Sequence, residues 1–388
     1  MGIIRYFNIF AAEICIIFAS NLFYDMKKEQ QIVSAFDIKG KATAVQPFGN
    51  GHINDTFRVI TEGDDTPDYV LQRINHHIFR NVDMLMDNII AVTNHIRKKL
   101  EQQGVKDLDR RVLRFLPTRK GKYYHFDGES YWRLMICIAD SESFDVVDAK
   151  YSHFAGLAFG EFQNMLADIP VELGETIPNF HNMEFRLEEF REAVRSNRAG
   201  RVAKVSDLIE GIEQRAEAMC EGERLHRAGL LPKRICHCDT KVNNILFDRE
   251  GRVLCVIDLD TVMPNFVFSD YGDFLRTAAN TAAEDEPDLS LVGFNMEIFE
   301  AFTRGYLESA RFLTDIEISH LPYAAALFPY MQTVRFLGDY LNGDTYYKIA
   351  YPEHNLVRAR AQMKLLQSVE ECMPRMKEFI ATLIPYTI

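Results

Sequence analysis

The sequence predicts an α+β protein in two parts, an antiparallel sheet with one helix followed by a larger, mostly helical part. Residues 42–136 contain short segments of strand character separated by glycine-containing turns, and one helical pattern interrupts them. After residue 150 the apolar residues recur at helical spacing. A chain of 388 residues with 47% hydrophobic residues can bury a large core, which suits two lobes of one protein.

The composition excludes some classes of partner. The net charge of −12 argues against nucleic acid and against an anionic membrane surface, because both favour basic patches. The seven cysteines are scattered and odd in number, which indicates a reducing compartment, and we expect a cytoplasmic protein. The apolar segment at the start resembles a signal peptide, but Glu13 interrupts it. A second interpretation is an upstream extension before Met26, and we expect residues 1–38 to lie outside the small lobe.

The elements follow from local patterns. Residues 42–59 predict two strands around the turn Gly49-Asn50-Gly51, and Asp127-Gly128 predicts a second hairpin. We expect a five-stranded sheet, then a hinge at Cys137–Asp140. The other predicted strands are Tyr69–Ile74, Val112–Leu116, Tyr123–Phe126 and Tyr131–Ile136, and the predicted helices are Val82–Leu100, Tyr151–Leu166, Met183–Arg198 and Val205–Ala228.

One stretch, Ile235–Thr261, carries a dense set of chemical groups. A loop with Asp239 and Asn244 leads through a hairpin to Asp258. In phosphoryl transfer by kinases, one Asp receives the proton of the attacking hydroxyl, while an Asn five residues later and a second Asp hold Mg²⁺. Asp and Asn also cap turns, so the order of the motifs matters more than any single match. A zinc site at Cys236-His237-Cys238 is disfavoured, because no second pair of ligands lies nearby.

These motifs resemble the aminoglycoside phosphotransferase and choline kinase superfamily, which has the protein-kinase-like fold, and most closely its bacterial N-acetylhexosamine 1-kinases. Residues 47–57, 69–75 and 335–346 also carry the resemblance. It implies a bilobal fold, with a nucleotide-binding small lobe at 39–137 and a large lobe at 138–388 that holds the catalytic loop and the acceptor site. The implied reaction is ATP-dependent phosphorylation of the anomeric hydroxyl of N-acetylglucosamine or N-acetylgalactosamine. The alternatives are a kinase for an aminoglycoside, choline or homoserine, and a nucleotide-binding protein without catalysis.

The resemblance also implies roles for single residues. Asp239 would be the catalytic base, Asn244 and Asp258 would hold Mg²⁺, and His237 would organise the loop. Asp273 is expected to support that loop through hydrogen bonds. The expected nucleotide contacts are Gly49, Asn50, Gly51, the backbone at Ile138, and Gln72 or Arg73 in the place of the usual lysine. The expected acceptor contacts are His52, Asn54, Asp55, Arg335, Asp339 and Tyr346, although Asn54-Asp55 is equally a turn pair and Arg335 and Asp339 can also form a surface ion pair.

Overall fold

The computed structural model describes residues 28–49, 53–63, 65–144 and 148–384. The chain divides into two compact units, one from residues 1–93 and 105–139 and the other from 94–104 and 140–388. The predicted fold class is confirmed, since the described residues form a five-stranded antiparallel sheet and a mostly helical second unit. The expectations for residues 1–25 fall outside the described residues. No described helix is both long enough and apolar enough to cross a membrane.

The first unit is the antiparallel sheet, with strand order β1-β2-β3-β5-β4. Its core contains Val45, Val59, Leu71 and Leu134 from the four long strands, because alternate side chains of a strand point to one face. The strands are β1 (Lys41–Pro47), β2 (Asp55–Glu62), β3 (Tyr69–Ile74), β4 (His125–Phe126) and β5 (Tyr131–Ile136). Helix α1 spans Val82–Gln102, and its residues from 94 onward are assigned to the second unit.

Two expectations for this unit need correction. The predicted strand Val112–Leu116 is not formed, because the segment makes only an isolated bridge from Phe115 to Met135. The fold also begins before residue 39. Residues 28–33 are helical, and the buried side chains of Ile32 and Phe36 pack into the core of the sheet.

The second unit contains ten helices in its described part and two small antiparallel ribbons. The predicted single helix at 205–228 is broken, because at Arg215 and Cys220 the backbone N–H bonds the carbonyl three residues earlier. The ribbons pair β6 (Arg234–Cys236) with β9 (Met263–Asn265) and β7 (Ile245–Phe247) with β8 (Val253–Val256). The helices are α2 (Ala149–Leu166), α3 (Met183–Ser196), α4 (Ser206–Glu213), α5 (Ala216–Met219), α6 (Glu221–Arg227), α7 (Phe268–Ala278), α8 (Met296–Ser309), α9 (Asp315–Ser319), α10 (Leu321–Asn342) and α11 (His354–Leu383).

Helices α2 and α8 approach each other closely through glycine. A Cβ atom at Gly156 would lie 2.2 Å from the carbonyl oxygen of Phe302, and one at Gly305 would lie 2.1 Å from that of His153. Both distances are too short for a real side chain. The helix pair that packs beneath the catalytic loop therefore depends on these two residues having no side chain.

Candidate active site

A buried carboxylate on α7 fixes the loop that follows β6. Asp270 Oδ2 accepts the N–H of His237 at 2.8 Å, and Oδ1 accepts the N–H of Cys238 at 2.7 Å. These are the two amides that immediately precede Asp239. The position of Asp239 is therefore set by the helix as well as by its own strand.

Asp270 itself is an ionisable group shielded from bulk solvent. Its side chain is fully buried, and a third hydrogen bond comes from Gln163 Nε2 at 2.7 Å. Burial raises the pKa of Asp270 to about 6, because the ionised form loses its hydration, while the two loop amides act in the opposite direction. Asp270 is thus ionised at neutral pH and titrates just below it.

His237 connects the catalytic loop to the β7–β8 ribbon. Its ring is buried and lies edge-on to Phe159 and Phe162, with centroids 5.8 and 5.9 Å away. Nε2 donates to the carbonyl oxygen of Ile257 at 2.8 Å, so this nitrogen carries the proton, and Nδ1 accepts the N–H of Asp239 at 3.3 Å. Both ring nitrogens are engaged within the protein.

Asp239 lies beside Asn244 and Lys241. Its side chain is 21% exposed, and Lys241 Nζ lies 3.0 Å from its Oδ1. Asn244 Nδ2 donates to the carbonyl oxygen of Asp239 at 2.8 Å and lies 3.4 Å from its Oδ2. Because the amide nitrogen of Asn244 makes both contacts, its oxygen is the atom left to bind a cation.

Asp258 is held next to the catalytic loop by hydrogen bonds of its neighbouring residues. It is exposed and has φ of +58°, in the left-handed region that Asp tolerates better than most residues. The N–H of Ile257 donates to the carbonyl oxygen of Asn244 at 2.9 Å, and the hydroxyl of Thr261 donates to that of His237 at 2.7 Å. The chain is therefore bonded to the catalytic loop on both sides of Asp258.

The chemistry of this region suits a hard divalent cation. Mg²⁺ prefers oxygen ligands and is usually bound by one or two protein groups together with phosphates and water. The amide oxygen of Asn244 and the exposed carboxylate of Asp258 are ligands of this kind. Among the residues that the structure describes, no three His, Cys, Asp or Glu side chains are arranged to hold a metal by themselves.

Asp273 supports the next residue of the loop. Its Oδ2 accepts the N–H of Thr240 at 3.2 Å, and its Oδ1 accepts two bonds from Arg276 at 3.2 and 3.1 Å. Burial raises the pKa of Asp273, and the charge of Arg276 opposes that shift. Arg276 also donates to Glu284 Oε1 at 2.6 Å, so its charge is shared between two carboxylates.

Arg335 on α10 faces two aromatic rings. Its guanidinium carbon lies 5.4 Å from the ring centroid of Phe180 and 5.6 Å from that of Tyr347. Within the described residues, its hydrogen bonding is limited to a long contact of 3.5 Å with Gln332 Oε1. The alternative ion pair with Asp339 does not form, because that carboxylate is directed into a different network.

Arg335, Arg186 and Arg276 act electrostatically on the buried His181. Burial lowers the pKa of His181, and the charges of Arg335, Arg186 and Arg276 lower it further, so this imidazole is neutral. The pKa of Arg186 is lowered as well, first by burial and then by Arg335. Arg186 pairs with Glu189, and Arg276 pairs with both Asp273 and Glu284, so Arg335 is the one of the three without a carboxylate partner among the described residues.

Asp339 holds the segment that follows α10. Its carboxylate accepts the backbone N–H groups of Thr345, Tyr346 and Tyr347 at 2.9, 2.9 and 3.0 Å, and Asn355 Nδ2 at 2.9 Å. With these donors on a buried carboxylate, Asp339 positions this segment, and its predicted contact with the acceptor stays a prediction. Tyr346 is 64% exposed, and its ring lies 4.8 Å from that of Tyr347.

The predicted turn of the first unit is described only in part. Gly49 has φ of +73°, a conformation that glycine adopts without strain. Asn54 is buried and accepts the N–H of Asn75 at 2.9 Å, so it connects the residue before β2 to the residue after β3. Ile138 is buried in the segment after β5. Three predicted contacts lie outside the described residues, namely Asn50, Gly51 and His52.

The predicted substitutes for a third-strand lysine are engaged with their neighbours. Gln72 donates to Thr56 Oγ1 at 3.1 Å and accepts Arg133 Nε at 2.9 Å. Arg73 pairs with Asp55, and both side chains are about half exposed. The structure brings Asp55 to Arg73 across the β2–β3 pair, where the charges are directly opposite each other.

The sequence interpretation missed two residues of this site. Asp270 lies one helical turn before Asp273, and that spacing would have placed both carboxylates on one face of α7. Lys241 stands between Asp239 and Asn244, and its charge next to the expected base was the available signal.

Comparison with known proteins identifies the family of the chain. A family model described as the phosphotransferase enzyme family matches residues 44–311, which is more than half of the chain.

Solved structures share the fold at low sequence identity. An aminoglycoside phosphotransferase from Alicyclobacillus acidocaldarius is 13% identical, with a TM-score of 0.58 over 91% of this chain and 96% of that one. A choline kinase from Cryptosporidium parvum is also 13% identical, with a TM-score of 0.58 over 92% of this chain and 99% of that one. An amicoumacin kinase in complex with AMP-PNP and Ca²⁺ is 13% identical, with a TM-score of 0.55 over 91% of this chain and 95% of that one.

Proposed function

This chain belongs to the phosphotransferase enzyme family, and from that premise we propose that it is a small-molecule kinase of the aminoglycoside phosphotransferase and choline kinase superfamily, with the following substrate and mechanism. The proposed reaction is transfer of the terminal phosphoryl group of ATP to the anomeric hydroxyl of an N-acetylhexosamine, either N-acetylglucosamine or N-acetylgalactosamine. The observation that carries the proposal is the loop that holds Asp239, Asn244 and Asp258 together, with Arg335 and its two aromatic neighbours in the same unit.

Each of the three residues has one task. Asp239 accepts the proton of the acceptor hydroxyl and orients its oxygen toward the phosphorus. Asn244 and Asp258 would hold Mg²⁺, which neutralises phosphate charge when it is bound. His237, Asp270 and Asp273 keep the loop in place, and most of the rate enhancement comes from this positioning.

The nucleotide contacts are proposed for the first unit. Gly49 and the residues after it would approach the phosphates, Gln72 or Arg73 would replace the usual lysine, and the backbone at Ile138 would contact the base. The amicoumacin kinase structure, which holds AMP-PNP and a divalent cation, supports an adenine nucleotide as the donor.

The charge of Arg335 supports a neutral acceptor. A substrate amine carries a positive charge at neutral pH, and the guanidinium of Arg335, which has no carboxylate partner among the described residues, would repel it. A guanidinium can instead donate to ring hydroxyls or to an acetamide oxygen, and the exposed ring of Tyr346 can cover an apolar sugar face. These contacts favour an acetylated sugar over choline or an aminoglycoside.

A panel of acceptors tests the proposal. ADP release is measured with N-acetylglucosamine, N-acetylgalactosamine, glucosamine, choline, homoserine and an aminoglycoside, and the product is identified by ³¹P and proton NMR. We expect turnover with the N-acetylhexosamines and phosphate on carbon one. Turnover with amine-bearing acceptors alone would exclude the proposed substrate, and ATP binding without any transfer would indicate a protein without catalysis.

The base is tested separately. Asp239→Asn removes the proton acceptor and keeps the shape of the side chain, so turnover is expected to fall by about 10³-fold or more. The melting temperature is expected to stay within a few degrees of the wild type, because the side chain is partly exposed. Near-normal turnover in this variant would remove Asp239 from the mechanism.

A further inference from the structure

Arg276 on α7 joins a turn beyond this helix to the support of the catalytic loop. Its Nε and Nη2 donate to Asp273 Oδ1 at 3.2 and 3.1 Å, and its Nη1 donates to Glu284 Oε1 at 2.6 Å. Asp273 uses its other oxygen to accept the N–H of Thr240, the residue after Asp239. Glu284 is thus connected to the neighbour of the proposed base through one buried guanidinium and one buried carboxylate.

The next residue of the same turn, Asp285, binds the start of α11. His354 is buried, its Nδ1 accepts a backbone N–H at 3.1 Å, and its Nε2 therefore carries the proton that it donates to Asp285 Oδ2 at 2.8 Å. Asn355, which follows His354, donates to Asp339 Oδ2 at 2.9 Å. Asp339 is the carboxylate that holds residues 345–347, here called the acceptor segment. Asp285 is thus connected to the acceptor segment through the start of α11.

The charge of Glu284 also acts on the acceptor segment. Burial raises the pKa of the Tyr347 phenol, Arg335 lowers it and Glu284 raises it, so both charges lie near this ring. The ring of Tyr347 lies 4.8 Å from that of Tyr346, the exposed residue proposed to cover the sugar. The turn that carries Glu284 therefore adjoins the proposed acceptor site as well as the support of the catalytic loop.

We propose that Glu284 and Asp285 are positioning residues, which place the catalytic base and the acceptor segment relative to each other. Each acts through a buried partner, Glu284 through Arg276 and Asp285 through His354. Because the two carboxylates are adjacent in one turn, a displacement of either partner is transmitted to the other. The inference rests on the proposed phosphoryl transfer and on an acceptor site at Tyr346, but not on the identity of the sugar.

The physical reason lies in the geometry of the guanidinium. Without Glu284, the Nη1 group of Arg276 loses its acceptor, and Asp273 is the carboxylate that remains to it. A bidentate pair that uses both oxygens of Asp273 would then compete with the N–H of Thr240. Asp239 itself would stay in place chemically, but the residue after it would lose a hydrogen bond. We therefore expect a displaced base and a moderate loss of rate.

The test is a double-mutant cycle of Glu284→Ala and His354→Phe, with Asp288→Ala as the matched control. His354→Phe keeps an aromatic ring and removes the donor to Asp285. Asp288 lies in the same loop, and its carboxylate accepts bonds from the backbone and side chain of Ser290 at 3.0 and 2.7 Å. The control therefore removes an acidic side chain from the loop and leaves both connections intact.

The expected result is a loss that does not multiply. Each single variant should lower kcat by about 10-fold, with less than a threefold change in the KM for ATP. The double variant should also lose about 10-fold, because either change interrupts the same connection, whereas independent effects would give about 100-fold. His354→Gln, whose amide can donate to Asp285, should recover part of the loss, and Asp288→Ala should retain the wild-type kcat.

Hydrogen exchange gives a readout that does not depend on activity. In His354→Phe, the amide of Thr240 should exchange about 10-fold faster than in the wild type, although the two residues belong to separate elements, and mass spectrometry of a peptide that covers Thr240 measures this. Unchanged exchange at Thr240, or a double variant whose loss is the product of the single losses, would overturn the proposal. Thermal melting shows whether each variant is folded, and Glu284→Gln replaces Glu284→Ala if the latter is not.

The acceptor panel separates this inference from the proposed reaction. If another acceptor is phosphorylated in place of the N-acetylhexosamines, the proposed sugar is wrong, and the cycle is measured with that acceptor. If no acceptor is phosphorylated, the proposed phosphoryl transfer is wrong, whereas hydrogen exchange at Thr240 still decides whether the turn connects the two parts of the site.

Discussion

Replacing Asp270 by Asn keeps the shape of a buried side chain while it removes the charge and one of two acceptor oxygens. The two carboxylate oxygens accept bonds from His237, Cys238 and Gln163. The asparagine side chain has a single acceptor oxygen and an NH₂ group, so at least one of these three N–H donors would face another donor. This mismatch lowers the stability of the folded state by about 1–3 kcal/mol. Because two of these groups precede Asp239, we expect kcat to fall by about 10-fold to 100-fold, as displacement of a catalytic group by about 1 Å does.

The same substitution predicts a difference in the pH dependence of folding. Because burial raises the pKa of Asp270 from 3.8 to about 6, the folded state binds this proton more tightly than the unfolded chain. The resulting stability is fully present below pH 3.8 and is lost as the pH rises through 6. Between pH 7.5 and 5.0 the wild type should gain about 1.4 kcal/mol relative to Asp270→Asn.

Urea titrations at pH 7.5 and 5.0 measure this difference. Helix content by circular dichroism follows the second unit, whereas fluorescence of Trp132, the single tryptophan, follows the first. Asp207→Asn is the control, because that side chain is exposed in a surface pair with Arg360. A free-energy difference between wild type and Asp270→Asn that stays constant with pH, together with an unchanged kcat, would refute the reasoning about Asp270.

Three further substitutions test other parts of the site and the fold. Asp258→Asn weakens a hard ligand, so the Mg²⁺ concentration for half-maximal rate should rise by about 10-fold or more, and an unchanged titration would show that Asp258 does not bind the cation. Asp339→Asn leaves a partly buried N–H of the Thr345–Tyr347 segment without its acceptor, so the acceptor KM should rise about 10-fold with little change in the KM for ATP, and an equal rise in both would contradict a local role. Gly305→Ala places a methyl group 2.1 Å from the carbonyl oxygen of His153, so the free energy of unfolding of the second unit should fall by about 1–3 kcal/mol, and a wild-type urea titration by circular dichroism would exclude this close contact.

The parts of the fold that depend on local periodicity were accessible from the sequence. Helix α1 begins at Val82 as predicted, and Leu85, Ile89 and Ile96 are buried as their spacing indicates. The strand predicted at Val112–Leu116 was wrong, because this segment forms only one isolated bridge despite its strand-like composition. The long helix predicted at 205–228 failed because its breaks follow from packing, such as the paired bonds of Arg215 with Glu370, which no local pattern contains.

The residues of the candidate site also differ in whether the sequence could predict them. Asp239, Asn244 and Asp258 lie within one short stretch, so a motif can indicate them. The cluster around Arg335 combines Phe180, Arg186 and Tyr347, which come from separate elements, and only folding brings them together. To predict that Asp270 holds the loop, one must know which face of α7 contacts the loop, and this contact depends on the tertiary fold.

The two cysteines that flank His237 have a practical consequence for chemical labelling. Both are fully buried, and burial raises the pKa of the Cys236 and Cys238 thiols well above the usual range. Alkylating reagents and mild oxidants should therefore spare them while the loop keeps its native hydrogen bonds. The rate at which Cys236 or Cys238 is modified, measured by mass spectrometry, would then report how often the catalytic loop detaches from α7.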